Sequence, residues 1–183
     1  TDGAYRLQLD KNELTHPILK GNITSIYQDS EGELWIGSWE EGLHHVKTDG
    51  TIEIFEYDAK NPYSISSNFV RACCEDNLGN IWIGTFNGLN RYDKSTGLFQ
   101  NHTASDAQSD GLTHSSIWCI VKDNQGTLWL GTYFGGVNYF NPEYEIYSRY
   151  MYSPIEKKGL SNPVVGRTIE DKDGNLWIGT EGG

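Results

Sequence analysis

The chain has 183 residues, a length that suffices for one domain with a well-buried core. It contains 21 Gly, 11 Tyr and 6 Trp but a single Met, and this composition favours turns and strands over helices, which indicates the all-β class. The formal net charge is −11 and the 14 Lys and Arg are scattered, so we expect no nucleic acid as a partner and no direct membrane contact.

The cysteines and acidic turns do not suggest a metal site or a bound cofactor. Cys73 and Cys74 are adjacent, and the three cysteines fit neither a disulfide framework nor a zinc-binding pattern. We interpret them as small hydrophobic side chains in apolar strands. The acidic turn at 171–175 partly resembles a calcium loop, but it lacks the later ligands, including the bidentate Glu. We therefore predict no metal and no cofactor.

One nine-residue pattern, Asp-x-x-Gly-x-Leu/Ile-Trp-Ile/Leu-Gly, occurs four times with identical internal spacing. The four copies cover residues 29–37, 76–84, 123–131 and 171–179. Consecutive copies of the Trp are 47 or 48 residues apart, a period typical of β-propeller blades. The repeat predicts an array of about four blade equivalents.

Each repeat is predicted to fold as four antiparallel strands, which in the second repeat cover 69–75, 80–85, 89–93 and 98–102. The first strand is mostly apolar on both faces, as expected near the axis of a propeller. The Asp-x-x-Gly step makes the turn into the second strand, with Gly supplying a positive φ. We expect the Trp to pack between blades, and the Gly two residues later to let a backbone approach closely.

The repeats divide the chain into three whole blades and two halves. The whole blades are predicted over 22–67, 68–114 and 115–161. Residues 1–21 are predicted to form the second half of a blade, and residues 162–183 the first half of another.

Each half blade would leave an unpaired sheet edge, and such edges tend to pair. The two halves could close a four-bladed ring, two chains could form an eight-bladed ring, or the array could belong to a larger propeller. We favour the larger propeller, because an open array exposes apolar end faces that need covering. The expected partners are the remaining blades of a parent protein, or a second copy that associates through the open edges.

Residues 70–92 approximate the pattern Val-x-x-Ile-x-x-Asp-x-x-Gly-x-Leu-Trp-Ile-Gly-Thr-x-x-x-Gly-Leu-x-x-Tyr. This pattern resembles the two-component regulator propeller repeat found in the sensor regions of Bacteroides-type hybrid two-component systems. Four copies cover nearly the whole chain. The departures are small, with Ser38 in place of Thr, Ile81 in place of Leu and Thr168 in place of Ile.

The resemblance implies that the chain is a fragment of a seven-bladed propeller in the periplasmic part of an inner-membrane protein. That protein would be a sensor histidine kinase with a receiver and a DNA-binding domain. Sensors of this kind commonly detect oligosaccharides. The resemblance therefore implies a ligand-sensing segment that has no enzymatic activity of its own.

Candidate ligand-binding residues occupy two repeated positions. The loop between the second and third strands carries an aromatic residue in three repeats. The beginning of the first strand carries an arginine or a tryptophan in the second and third repeats, and a second arginine adjoins this position in the fourth. The candidates are Trp39, Arg71, Phe86, Trp118, Tyr133 and Arg167.

These residue types suit a saccharide if both positions open to the same face. Aromatic rings stack on the C–H surfaces of sugars, and guanidinium groups donate to hydroxyls or carboxylates. The alternative is that the repeated aromatic residues only pack against the next blade.

Two other functions remain compatible with the sequence, because one fold can serve many functions. The chain could belong to an extracellular carbohydrate-active enzyme or lyase, for which Glu40, Glu41 and His44 are the nearest acid–base cluster. His44 and His45 are adjacent on a predicted strand, so only one of the two should face inward. A scaffold that binds protein loops on the same face is the other possibility.

Overall fold

A computed structural model describes residues 3–14, 17–104, 111–144, 148–153 and 159–181. All the regular secondary structure in these residues is β-strand, as predicted for the all-β class. Across the same ranges, no helix is long and apolar enough to cross a membrane.

The N-terminal part is a hairpin of four very short strands. Strand β1 (Gly3–Ala4) pairs with β4 (Leu19–Lys20), and β2 (Leu7–Gln8) pairs with β3 (Glu13–Leu14), both antiparallel. We call this unit the N-terminal hairpin.

Three antiparallel sheets of four strands follow, and in each the strands are hydrogen-bonded in chain order. The first blade contains β5 (Ile23–Gln28), β6 (Leu34–Ser38), β7 (Leu43–Val46) and β8 (Ile52–Phe55). The second blade contains β9 (Val70–Glu75), β10 (Ile81–Thr85), β11 (Gly88–Asp93) and β12 (Leu98–His102). The third blade contains β13 (Ile117–Lys122), β14 (Leu128–Thr132), β15 (Val137–Phe140) and β16 (Ser148–Tyr150). The C-terminal hairpin contains β17 (Val165–Glu170) and β18 (Leu176–Thr180).

The strands of the second blade begin within one residue of the predicted positions. The carbonyl of Phe69 accepts a hydrogen bond from the loop residue Phe86, so β9 begins at Val70. The carbonyl of Asn80 accepts a hydrogen bond from the backbone N–H of Asp76 in the turn, so β10 begins at Ile81. Strand β11 begins one residue earlier than predicted, because Gly88 pairs with Thr85.

The Asp-x-x-Gly turn has the predicted geometry and one interaction that the sequence did not suggest. Asp29 Oδ1 accepts hydrogen bonds from the backbone N–H of Glu31 and Glu33, and Gly32 has φ of 83°. The other oxygen, Oδ2, accepts a hydrogen bond from the indole Nε1 of Trp35 at 2.9 Å. The same indole-to-carboxylate bond occurs in the other repeats, from Trp82 to Asp76, Trp129 to Asp123 and Trp177 to Asp171.

The hydrophobic core lies between consecutive blades. Trp35 packs in one cluster with Val70 and Ile83 of the second blade, and Trp82 in another with Ile117 and Leu130 of the third. Burying each of these large rings stabilises the stacking of blades by about 2–3 kcal/mol.

Trp177 departs from the expected packing between blades. Its side chain is 62% exposed, whereas Trp35 and Trp82 are 0% and 1% exposed. Trp177 is more exposed because it lies in the C-terminal hairpin, on the face that no described sheet covers.

In the first three repeats the glycine two residues after the Trp makes room for a side chain rather than for a backbone. A Cβ atom on Gly84 would lie 2.7 Å from Cγ2 of Ile117, the first residue of the next inner strand. Gly37 and Gly131 face Val70 and Val165 in the same way. The expectation of a close backbone approach was therefore wrong at these positions, because it is the β-branched residue of the next blade that fills the space.

The first strands of the blades lie side by side in chain order. Strand β9 contacts β5 and β13, and β13 contacts β17. These four inner strands line the axis of the array, and their starts come together at one end of it.

Candidate functional site

A β-bulge displaces the second residue of every inner strand. In the second blade Val70 pairs with Thr85 and Ala72 pairs with Gly84, which leaves Arg71 without a partner in the ladder. A bulge re-aims the side chain that it carries and often lies beside a binding site. The residues at this position in the four repeats are Thr24, Arg71, Trp118 and Gly166.

A backbone hydrogen bond fixes each loop between the second and third strands above the bulge. The loop N–H donates to the carbonyl of the residue just before the inner strand, at 2.9–3.1 Å. The two repeated positions predicted from sequence therefore lie on the same face. The donor and acceptor pairs are Trp39 and Asn22, Phe86 and Phe69, Tyr133 and Ser116, and Glu181 and Val164.

Four of the six candidate residues form a continuous stack. The Cζ atom of Arg71 lies over the ring of Trp39, 4.8 Å from its centroid, and over the ring of Trp118, 4.3 Å from its centroid. Tyr133 then stacks on Trp118 with centroids 5.1 Å apart and planes at 10°. We call Trp39, Arg71, Trp118 and Tyr133 the aromatic–arginine stack. It joins side chains from three successive blades.

Phe86 lies beside this stack and not in it. Its ring is 6.1 Å from that of Phe69, which meets Trp39 edge to face at 5.6 Å. On the other side Phe134 packs against Tyr133 at 4.2 Å. Phe69 was not predicted as a site residue. Its place immediately before the bulge, next to a repeated loop position, was the available signal.

Arg167 lies on the wall of a concavity beside the stack. The concavity has a volume of about 260 Å³ and is lined by Thr24, Arg71, Trp118, Gly166 and Arg167. A second concavity of about 340 Å³ continues along the inner strands and shares Thr24, Arg71 and Arg167. The two spaces place the bulge positions of all four repeats around one opening.

Two donors of this site have no acceptor within the described part of the chain. The Nε of Arg71 and the indole Nε1 of Trp118 are shielded from solvent and donate to no described residue. Burial lowers the pKa of Arg71, while the nearby Tyr133 acts in the opposite direction. A guanidinium group remains charged even so, because its ordinary pKa lies far above neutral pH.

The acid–base cluster considered from sequence combines exposed carboxylates with a buried histidine, and Glu41 interacts electrostatically with His44. Glu40 and Glu41 are exposed, whereas His44 is 5% exposed and its burial lowers its pKa. His45 is equally buried, stacks on Trp35 at 3.8 Å and forms a 2.6 Å hydrogen bond with Glu33. The expectation that only one histidine faces inward was wrong, because both faces of β7 are covered by neighbouring units.

Asp29, Glu33 and His45 bring three potential metal ligands within 4.8 Å of one another. The Asp29 carboxylate is already engaged, because it accepts from Trp35 and also from Lys94 Nζ at 3.0 Å. Burial alone would raise the pKa of Asp29, but these hydrogen bonds outweigh it and hold the pKa below its ordinary value. The cluster therefore acts as a structural connection between the first and second blades.

Four-stranded sheets that stack along their first strands around a common axis define this molecule as an array of β-propeller blades. The chain belongs to the two-component regulator propeller family, whose sequence pattern matches residues 17–40, 64–87, 111–134 and 159–182, about half of the chain. A comparison with curated protein sequences found no match.

Solved structures with a similar fold include the extracellular domains assigned to two hybrid two-component systems of B. thetaiotaomicron. BT3049 has a TM-score of 0.74 at 20% identity and BT4673 a TM-score of 0.76 at 22% identity. Each comparison covers 98% of this chain and 24% of the solved chain, so the chain spans about a quarter of those structures.

Virginiamycin B lyase from Staphylococcus aureus is also similar, with a TM-score of 0.69 at 14% identity over 95% of this chain and 55% of the lyase. These identities establish the fold alone.

Proposed function

We propose that this chain is a ligand-sensing part of the extracytoplasmic region of a hybrid two-component signalling protein, and that it recognises an oligosaccharide. The observation that carries the proposal is the position of Arg71, held between Trp39 and Trp118 at the mouth of a concavity. Membership of the regulator propeller family supports a role in signalling.

The exposed aromatic surface at this face supports a saccharide ligand. Trp39 is 38% exposed, and Phe86 and Phe134 are each 55% exposed, although large apolar side chains of this kind are usually buried. A contiguous exposed aromatic surface marks an interaction site. The rings can stack on the C–H faces of sugars while the guanidinium group donates to hydroxyl oxygens.

A binding role is favoured over a catalytic one by the composition of the site. Hydrolysis of a glycosidic bond uses two carboxyl groups at a defined separation. The described residues that line the two concavities include no carboxylate and no histidine. We therefore propose that this segment binds its ligand unchanged, and that a histidine kinase elsewhere in the parent protein produces the response.

We propose a periplasmic location for the segment, since the similar B. thetaiotaomicron structures are extracellular domains.

The uncovered face of the C-terminal hairpin is apolar and suits a binding partner. It carries a concavity of about 510 Å³ lined by residues that include Ile169, Trp177 and Gly179. The matching faces of Trp35 and Trp82 are each covered by the next blade. We propose that a further blade of the same kind covers the face of Trp177.

The proposal is tested by calorimetric titration of the chain with a panel of neutral and acidic oligosaccharides. Trp118→Ala removes one wall of the stack, so we expect the affinity for a bound saccharide to fall about tenfold or more. Tyr144→Ala, an exposed tyrosine outside the site, is the matched control and should leave the affinity unchanged. Equal binding by the Trp118→Ala variant, or turnover of the saccharide during the titration, would contradict the proposal.

A further inference from the structure

The charge at the candidate site is opposite to that of the whole chain. The chain carries a formal net charge of −11. Yet the charged residues among those that line the two joined concavities are Arg71 and Arg167, both of them cationic. Neither arginine forms a salt bridge with a carboxylate of the described residues. Two cations therefore share one opening, and no described carboxylate forms a salt bridge with either of them.

The contacts of Arg71 with the two indoles leave its hydrogen-bond donors without an acceptor among the described residues. The Cζ atom of Arg71 lies over the rings of both Trp39 and Trp118, so the guanidinium group makes two cation–π contacts. The N–H donors point outward in the plane of the group, where stacking does not satisfy them. The indoles also restrict the orientation of the group, so less conformational freedom is lost when a ligand binds.

An in-plane fork of donors matches one kind of acceptor particularly well. A carboxylate is planar and has two oxygens that can accept parallel hydrogen bonds from one guanidinium group. Such a charge-assisted pair is stronger than a bond to a neutral hydroxyl, most of all in a partly desolvated site. The second cation, Arg167, would strengthen the attraction for an anionic group from the far wall of the concavity.

We propose that the ligand is an acidic saccharide, a uronic-acid-containing oligosaccharide whose carboxylate is bound by Arg71 with Arg167 as the second cation. This inference rests on the proposed function and adds the chemical class of the ligand. The aromatic rings contact the sugar and the two arginines select its charge.

The test compares two probes of equal size, tri-galacturonate and galactotriose, in calorimetric titrations at the same ionic strength. We expect tri-galacturonate to bind at least about tenfold more tightly. Its affinity should fall as salt is raised, because screening weakens interactions between charges. Sodium sulfate is added as a competitor to show whether any anion binds at this site. If sulfate displaces tri-galacturonate at a concentration equal to that of tri-galacturonate, the assignment to a carboxylate is overturned.

Two variants assign the charge selection to particular residues. Arg71→Gln is expected to weaken tri-galacturonate binding by about 10- to 100-fold while changing galactotriose binding much less. Arg167→Gln, outside the stack, should reduce the preference without disturbing the packing of Trp39 and Trp118. Arg149→Gln, on an outer strand, is the control and should leave both affinities unchanged.

The two proposals fail in different ways. If galactotriose binds as tightly as tri-galacturonate, or if Arg71→Gln and Arg167→Gln both preserve the preference, the acidic ligand is ruled out and saccharide recognition stands. If neither probe nor any other saccharide of the panel binds to the folded chain, the proposed function fails as well.

Discussion

The bond between the indole of each repeated Trp and the carboxylate of the repeated Asp connects the first turn of a blade to its core. In the second blade Oδ1 of Asp76 accepts hydrogen bonds from the backbone N–H groups of Leu78 and Asn80 in the turn, and Oδ2 accepts one from the indole Nε1 of Trp82. A buried polar group without a partner is costly, so the Asp allows a large ring with an N–H donor to be buried. This explains why the two residues recur together at a fixed spacing of six.

The first prediction concerns this bond. Trp82→Phe removes the indole N–H and part of a buried ring, so we expect the free energy of unfolding to fall by about 2–4 kcal/mol. Trp177→Phe removes a bond of nearly the same length, 2.8 Å, from an exposed ring and should cost about 1 kcal/mol or less. Urea denaturation measures both changes. Equal losses at the two positions would show that burial does not control the value of the bond.

At the scale of the secondary-structure elements, contact between blades depends on pairing a glycine with a β-branched residue. Gly37, Gly84 and Gly131 on the second strands each face the first residue of the next inner strand. Removing the Cβ atom on one side lets that side chain approach, and the inner strands can then lie side by side.

The second prediction follows from this contact. An Ala at position 84 would place its Cβ 2.7 Å from the side chain of Ile117, so Gly84→Ala should lower the free energy of unfolding by about 1–3 kcal/mol. At Gly179 the nearest atom to such a Cβ is 3.5 Å away, an ordinary contact. Gly179→Ala should therefore stay within about 0.5 kcal/mol of the parent chain. Thermal unfolding of both variants distinguishes steric conflict from a general intolerance of Ala.

The strands of the second blade and the Asp-x-x-Gly turns could be predicted from the sequence, whereas the common face of the two candidate positions was only a condition there. The strands and turns depend on local residue types within each repeat, and the period is visible from the spacing of the four copies. The bulge at Arg71 could not be predicted in this way, because it is a register shift between β9 and β10 that no residue type marks. The position of Arg71 between Trp39 and Trp118 depends on three blades packing together, which local patterns do not describe.

At the scale of the whole molecule, the blades differ in how far their apolar side chains are covered by a neighbouring sheet. The first and second blades bury Trp35 and Trp82, whereas the C-terminal hairpin exposes Ile169 and Trp177. An exposed apolar face beside a sheet edge favours association with another sheet. In the proposed parent protein another blade would cover this face.

The third prediction is that the 183-residue chain associates with itself as its concentration is raised. Trp177→Lys places a charge on the uncovered face and should shift the equilibrium towards the monomer. Tyr144→Lys, which changes an exposed aromatic residue elsewhere, should have little effect. Sedimentation velocity at several concentrations measures the distribution. A chain that remains monomeric throughout, or that associates equally after Trp177→Lys, would contradict the proposed role of this face.

The most direct test of the account follows the six indole N–H signals in ¹⁵N-labelled chain during titration with a saccharide that binds. If the aromatic–arginine stack is the binding surface, the signals of Trp39 and Trp118 will shift or broaden, while those of the buried Trp35 and Trp82 stay in place. If binding leaves Trp39 and Trp118 unchanged and perturbs Trp177 or no indole at all, the ligand lies elsewhere and the assignment of the site is wrong.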